Sequence, residues 1–240
     1  MLRSSSRRQL LVIAGGTVVA AVAGLPKVRA AERKEQSDKM EVLAVEDLMR
    51  EHGVLRRALL VYSEAAARLA HGQSDVPLEA LGRTASLFRT FGEDYHERSL
   101  EEKYVFVPLM GAGGQKASIA RTLTDQHERG RQITDYVAAV AKKSKLAASD
   151  ATALSSTLTA FVRMYEHHAA IEDTVIFPAW KDAISPAEYH ELSEQFEELE
   201  HEMFGEDGFD DAVEKIAAIE QAFGLSNLSA LTAPAPPKAG

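Results

Sequence analysis

The chain has 240 residues, 45% of them hydrophobic, with no cysteine and a formal net charge of −9. That is enough apolar material for one good-sized domain plus extras, while the acidic balance disfavours nucleic-acid binding. Without thiolates, any metal must be held by histidine and carboxylate, which suits iron, manganese or zinc and excludes a four-thiolate iron–sulfur cluster.

The first thirty residues read as an export signal of the Tat type. Arg7-Arg8 precede an apolar run from Leu10 to Leu25, and Val28-Arg29-Ala30 supplies a small-residue cleavage site. The run is short and contains glycine, so no stable membrane span is expected after cleavage. The expected address is periplasmic or otherwise extracytoplasmic. Tat substrates cross folded, a route that suits a protein acquiring its metal in the cytoplasm. Cleavage removes five basic residues and no acidic one, leaving 22 against 36 and a formal charge of −14. Residues 31–40 are polar and read as a linker, ahead of a helical domain over residues 41–224.

From Val42 the apolar residues recur at helical spacing through Val45, Leu48, Met49, Leu55, Leu59 and Tyr62, with His52 on the same face. This first helix should end near His71-Gly72. A second is predicted from Pro77, after a Ser74-Asp75 cap, and should stop near Pro108, with Phe88, Phe91, Tyr95 and His96 on or near one face. A third runs from about Lys116 to Lys143 and carries His127 inward. Ser149-Asp150 should cap a fourth, whose inner face follows Leu154, Leu158, Phe161, Tyr165, His168 and Glu172 until Pro178. A fifth starts at Ser185-Pro186-Ala187-Glu188, a capping-box pattern, and includes His201; a shorter helix over 210–223 follows. The Pro/Ala-rich end, within residues 225–240, should be disordered. No stretch alternates as a strand would. Long helices joined by short links imply antiparallel neighbours, so the predicted fold is all-α, an up-and-down four-helix bundle with an additional C-terminal helix.

One pattern occurs twice. His52 is followed by His96, Glu101 and YVFVP; His127 is followed by His168, Glu172 and TVIFP. His168 and Glu172 stand four apart and share a helix face. His96 and Glu101 stand five apart, about 140° out of phase at ~100° per residue. A π-bulge would restore the alignment; otherwise Glu97 or Glu102 takes the place of Glu101. Any one of these residues alone reads as a solvated or hydrogen-bonded side chain. The doubled set is too costly to bury without partners, because each unsatisfied polar group costs about 1–3 kcal/mol, and metal coordination removes that penalty.

These blocks resemble the hemerythrin-like HHE proteins: DLMREHGVLRR around His52, DYHERSLEEKYVFVP around His96, LTDQHERGRQ around His127, MYEHHAAIEDTVIFP around His168 and ELEHEMFGEDGF around His201. The resemblance covers most of residues 42–204. It implies a hemerythrin-like bundle with two non-haem iron ions and no haem, held by His52, His96, His127, His168 and His201 and bridged by Glu101 and Glu172. Two departures stand out. Hemerythrin's third helix has a histidine pair four apart, whereas here Arg131 follows His127 at that spacing, so His201 would have to supply the missing ligand. The later bridging carboxylate is Glu172 where hemerythrin uses Asp. Tyr165 and His167 are candidates to sit behind the ligands. Tyr165 reads first as a core aromatic, and His167 points about 100° away from His168. His71, His190 and Trp180 read as a helix-end, a solvated and a packing residue.

The implied function is binding of oxygen or a related diatomic such as nitric oxide, for storage, sensing or delivery. A redox enzyme of the oxidase or peroxidase kind is the alternative, since Glu93–His96 and Glu198–His201 fit the Glu-x-x-His pattern of ferritin-like centres. That scheme leaves His52, His127 and His168 without a role. A metal-free helical binding module is the third reading.

Overall fold

The computed structural model describes residues 42–73, 75–205 and 208–238; the expected signal peptide (1–30) and linker (31–40) lie outside them. Every regular element among the described residues is helical. The first rod is α1, Ala44–Ala70. The second is continuous from α2, Leu78–Leu87, through a π-helical segment, Phe88–Val105, into α3, Phe106–Ala112. The third is α4, Gly114–Ala141, and the fourth runs from α5, Ala148–Ile171, through a second π segment, Glu172–Ile176, into α6, Phe177–Ala183.

Contacts fix the direction of each neighbour. Ser155 Oγ donates to Ala66 O at 2.8 Å while His52 meets Asp173, so α1 and α5 are antiparallel. Arg89 reaches Asp135 and Glu102 reaches His127, which sets the second rod antiparallel to α4. Gln126 meets His168, and Gly130 lies against Tyr165, so α4 and α5 are antiparallel as well. The bundle is therefore up-and-down, as the short links require.

Two further helices pack outside it, α7 (Pro186–Phe204) and α8 (Gly208–Phe223). Ser185 caps α7 as its pattern predicts, its side chain accepting from the Glu188 N–H at 3.2 Å. No side chain caps α1 at Leu43. Instead α7 satisfies the free N–H groups there: Ser193 Oγ accepts from Ala44 N–H at 3.0 Å and the Tyr189 hydroxyl accepts from Val45 N–H at 3.1 Å. Arg57 and Arg68 of α1 bond Glu220 and the Phe223 carbonyl of α8.

Several predicted boundaries move. Neither Pro108 nor Pro178 ends its rod, because each falls in the first turn of the α-helix that resumes after a π segment, where proline is tolerated. Pro77 directly precedes α2, and Ser74 of the expected cap lies outside the described residues; α5 starts at Ala148 with Ala147 before it. Asp150 instead pairs with Lys143 at 2.7 Å. Residues 228–231 form a 3-10 turn capped by Asn227, inside the end expected to lack structure.

The core is one contiguous apolar cluster. Tyr62, Phe88, Phe161 and Tyr165 make a set of stacked and edge-on rings with centroids 4.7–5.6 Å apart. Above this aromatic floor the bundle interior turns polar.

Candidate metal centre

His52, His96, Glu101, His127, His168 and Glu172 converge in the middle of the bundle, and all six are buried. The π geometry of Phe88–Val105 brings Glu101 onto the His96 face, since a π turn links i to i+5. The second half spans its four-residue interval at the junction of α5 with the second π segment.

Each carboxylate lies between the two histidine pairs. Glu101 Oε1 stands 3.3 Å from His96 Nε2 and 4.0 Å from His52 Nε2, while its Oε2 stands 3.4 Å from His127 Nε2. Glu172 Oε1 is 3.0 Å from His168 Nε2 and 3.9 Å from His127 Nε2, and its Oε2 is 3.4 Å from His52 Nε2. The donor atoms form two groupings that share Glu101: His52, His96 and Glu101, and Glu101, His127, His168 and Glu172. His96 Nε2 and all four carboxylate oxygens of Glu101 and Glu172 are buried without a hydrogen-bond partner. Five such atoms in one place would be expensive to leave unsatisfied. Metal coordination fits this donor set of imidazoles and carboxylate oxygens.

Each of the four imidazoles is held from behind. His52 Nδ1 bonds Asp173 Oδ1 at 2.7 Å, His96 Nδ1 bonds Glu51 Oε2 at 2.5 Å, His127 Nδ1 bonds Glu102 Oε1 at 3.0 Å and His168 Nδ1 bonds Gln126 Oε1 at 2.9 Å. Each acceptor places the ring proton on Nδ1 and leaves the Nε2 lone pair facing inward, as metal ligation needs. The pattern is itself doubled. The residue before the first histidine of each half (Glu51, Gln126) braces the second histidine of that half. The residue after each carboxylate (Glu102, Asp173) braces the first histidine of the other half. Phe177 stacks on His52 and Phe106 on His127, both at 5.5 Å between centroids, again across halves. Of these bracing residues the sequence drew attention only to Glu102, and as an alternative to Glu101, although the polar residue flanking each histidine or carboxylate recurs in both halves and carries the signal.

Electrostatics follow from the same contacts. Burial acts to raise the Glu101 carboxyl, but His96 and His127 outweigh it and hold it well below the usual carboxylate range. Burial acts to lower His127, yet Glu97, Glu101 and Glu102 push it up to about 10. His96 is likewise held above its ordinary value, against burial, by Glu101 and Glu51. Without metal the facing carboxylates favour the protonated forms of His52, His96 and His127, so metal entry competes with protons at those rings.

Two expected residues sit elsewhere. His201 is exposed near the end of α7, in neither grouping. Tyr189, Ser193 and Phe196 define the buried face of α7, with Leu199 continuing it, and two further residues rotate His201 about 200° from Leu199. It therefore does not replace the missing histidine. His167 is exposed on the outside of α5. Tyr165 does lie close: its ring is 5.2 Å from that of His168, and its hydroxyl donates to Glu97 Oε1. Arg131 bonds Glu102 and stands 3.4 Å from Glu97 Oε2. A guanidinium thereby neutralises a third set of donors, Glu97, Glu102 and His127 Nδ1. A cavity of about 10 Å³ is lined by His52, His96, Glu101 and His168, and by Tyr165 and Glu97.

An antiparallel helical bundle enclosing a doubled histidine–carboxylate cluster defines a cation-binding helical protein. The chain belongs to the hemerythrin family: the Hemerythrin HHE cation binding domain matches residues 43–180 and, overlapping, 119–223. Three uncharacterized mycobacterial proteins, Mb2018 of Mycobacterium bovis and MT2051 and Rv1995 of Mycobacterium tuberculosis, are each 44% identical to it over 236 residues. These alignments cover 94% of this chain and 90% of each relative. No solved structure matches the chain.

Proposed function

We propose that the protein holds two non-haem iron ions and binds oxygen or a related diatomic such as nitric oxide, for storage, sensing or delivery outside the cytoplasm. The observation that carries this reading is the convergence of four braced imidazoles on two shared, otherwise unpartnered carboxylates. Iron bound there would supply electrons and coordination positions that the protein leaves unfilled. His52 and His96 would hold one ion and His127 and His168 the other, with Glu101 and Glu172 between them. Histidine-rich ligation keeps the centre less anionic than a carboxylate-rich one, which favours reversible binding over substrate oxidation. Tyr165 lines the cavity with its hydroxyl proton held by Glu97, which fixes the direction of the hydroxyl.

The buried Tyr165–Glu97 pair also favours a second reading, a di-iron redox enzyme of the oxidase or peroxidase kind, because it offers a proton at the cavity wall. Its ligands would be those above, since Glu198 and His201, the second half of the ferritin-like pattern, are both exposed. Metal content and the visible spectrum of anaerobically purified mature protein, before and after air, separate the two. About two irons per chain with a band that appears in air and fades on deoxygenation supports the carrier or sensor reading. Two irons that oxidise irreversibly support the enzyme, and a chain without metal sinks both. His52→Ala and His127→Ala should each lose metal; retention of two irons by both variants would refute the ligand set. The extracytoplasmic address is tested by fusing residues 1–30 to a reporter and replacing Arg7-Arg8 with lysine, which should abolish Tat export.

A further inference from the structure

Among the residues lining the small cavity beside the cluster, Arg56 alone is exposed; Leu55, Leu59, Ala169 and the ligands are buried. Its side chain is 43% exposed and its guanidinium pairs with Asp173 on the opposite rod. The cavity lining therefore reaches the surface between α1 and the rod of α5, at a seam that the Arg56–Asp173 pair closes on the solvent side and the His52–Asp173 pair on the inner side. Its other walls are closed. Phe177 and Phe106 stack on His52 and His127 at one end, the aromatic floor of Tyr62, Phe88 and Phe161 lies at the other, and Glu97 is tied to Tyr165 and Arg131.

We propose that small ligands reach the metal centre between α1 and α5, past Arg56, and that the Arg56–Asp173 pair is the latch of this route. The inference rests on the reading that the centre takes up a small ligand. Two features fit the pair for the task. A half-exposed guanidinium leaves its partner at little cost, because water replaces the contact. Asp173 meanwhile keeps its bond from His52 Nδ1 at 2.7 Å through its other oxygen, so opening leaves the ligand ring braced. The inner walls of the route are leucine and alanine, which let a neutral diatomic pass and hold back hydrated ions. A chamber of about 10 Å³ has room for one molecule of water size.

The test loads the mature chain with ferrous iron anaerobically and follows nitric oxide uptake by stopped flow, with iron content measured alongside. Arg56→Ala should speed association about fivefold, the factor expected when a partly exposed ion pair no longer holds the seam shut. Arg56→Lys should stay near wild type. Ala169→Leu, which fills the cavity, should slow association on the order of tenfold with iron content and circular dichroism unchanged. Arg57→Ala is the control, since Arg57 pairs with Glu220 away from the seam at 2.6 Å. Unchanged rates in both Arg56→Ala and Ala169→Leu would overturn the route. If wild type holds two irons yet takes up no nitric oxide, the functional reading fails. The route is then read from oxidation of the ferrous pair by hydrogen peroxide, in which two irons give two electrons to one peroxide that takes two protons and leaves as two waters. The same order of rates across the variants would sustain the route, and equal rates would overturn it. A chain that binds no iron overturns both.

Discussion

At each of the four histidines one ring nitrogen is committed before any metal arrives. His96 illustrates what that commitment does. Its Nδ1 lies 2.5 Å from Glu51 Oε2 in a fully buried setting, so the ring cannot rotate and its Nε2 is aimed at Glu101. Glu51→Gln keeps the shape but removes the negative charge that raises ring basicity. It should weaken metal binding about 10- to 100-fold, measured by competition with a chromophoric chelator, while Glu46→Gln on the outside of α1 should change nothing. Gly130 makes a different point at the same scale. A Cβ there would lie 2.5 Å from the Tyr165 hydroxyl and 3.0 Å from its ring, so only glycine lets α4 admit the tyrosine of α5 at this position. Alanine gains about 1 kcal/mol of helix propensity over glycine, yet Gly130→Ala should destabilise by about 1–3 kcal/mol through overpacking and detach Tyr165 from Glu97. Gly53→Ala, where no atom lies within 4 Å, should instead stabilise. Chemical denaturation of the two variants reads the opposite signs directly.

The elements explain which parts of the centre were legible from sequence. Three inward histidines followed from α-helical spacing alone, because His52, His127 and His168 sit on regular α turns, and Glu172 follows His168 at one turn's distance. The five-residue step from His96 to Glu101 was ambiguous because the period of the helix itself changes there, and hydrophobic spacing does not reveal a π segment. His201 misled for the opposite reason. Its local block looks like a ligand helix, but α7 packs outside the bundle and turns Tyr189, Ser193 and Phe196 inward. That helix has another task. Ser193 accepts from the Ala44 N–H and donates to the Tyr189 carbonyl at 2.8 Å, both buried, so it closes the uncapped start of α1. Ser193→Ala should cost about 1–3 kcal/mol, the penalty of an orphaned buried donor. Faster hydrogen exchange should be confined to the first turn of α1; uniform exchange across α1 would show that Ser193 does not act as its cap.

On the scale of the whole molecule, the metal centre and the stability of the bundle are one problem. His52, His96 and His127 all have folded-state pKa values above the ordinary imidazole value, against burial, because carboxylates face them. A histidine raised in this way adds stability that is fully present below about 6.5, its unfolded value, and is lost as pH rises through the folded value. Glu101, held low, adds stability present above about 4.5 and lost as pH falls through its folded value. The metal-free bundle should therefore be most stable between these limits and should weaken toward alkaline pH, with the His127 contribution gone by about 10. Metal reverses the trend, because it takes the place of the protons. At pH 7 loading should release on the order of two to three protons per chain, so affinity should rise steeply from pH 5 to pH 8. Calorimetric titration of the metal-free protein in buffers of different ionisation enthalpy measures that number directly. A value near zero would mean that the imidazoles are already neutral, and that the facing carboxylates do not hold the empty cluster together as ion pairs.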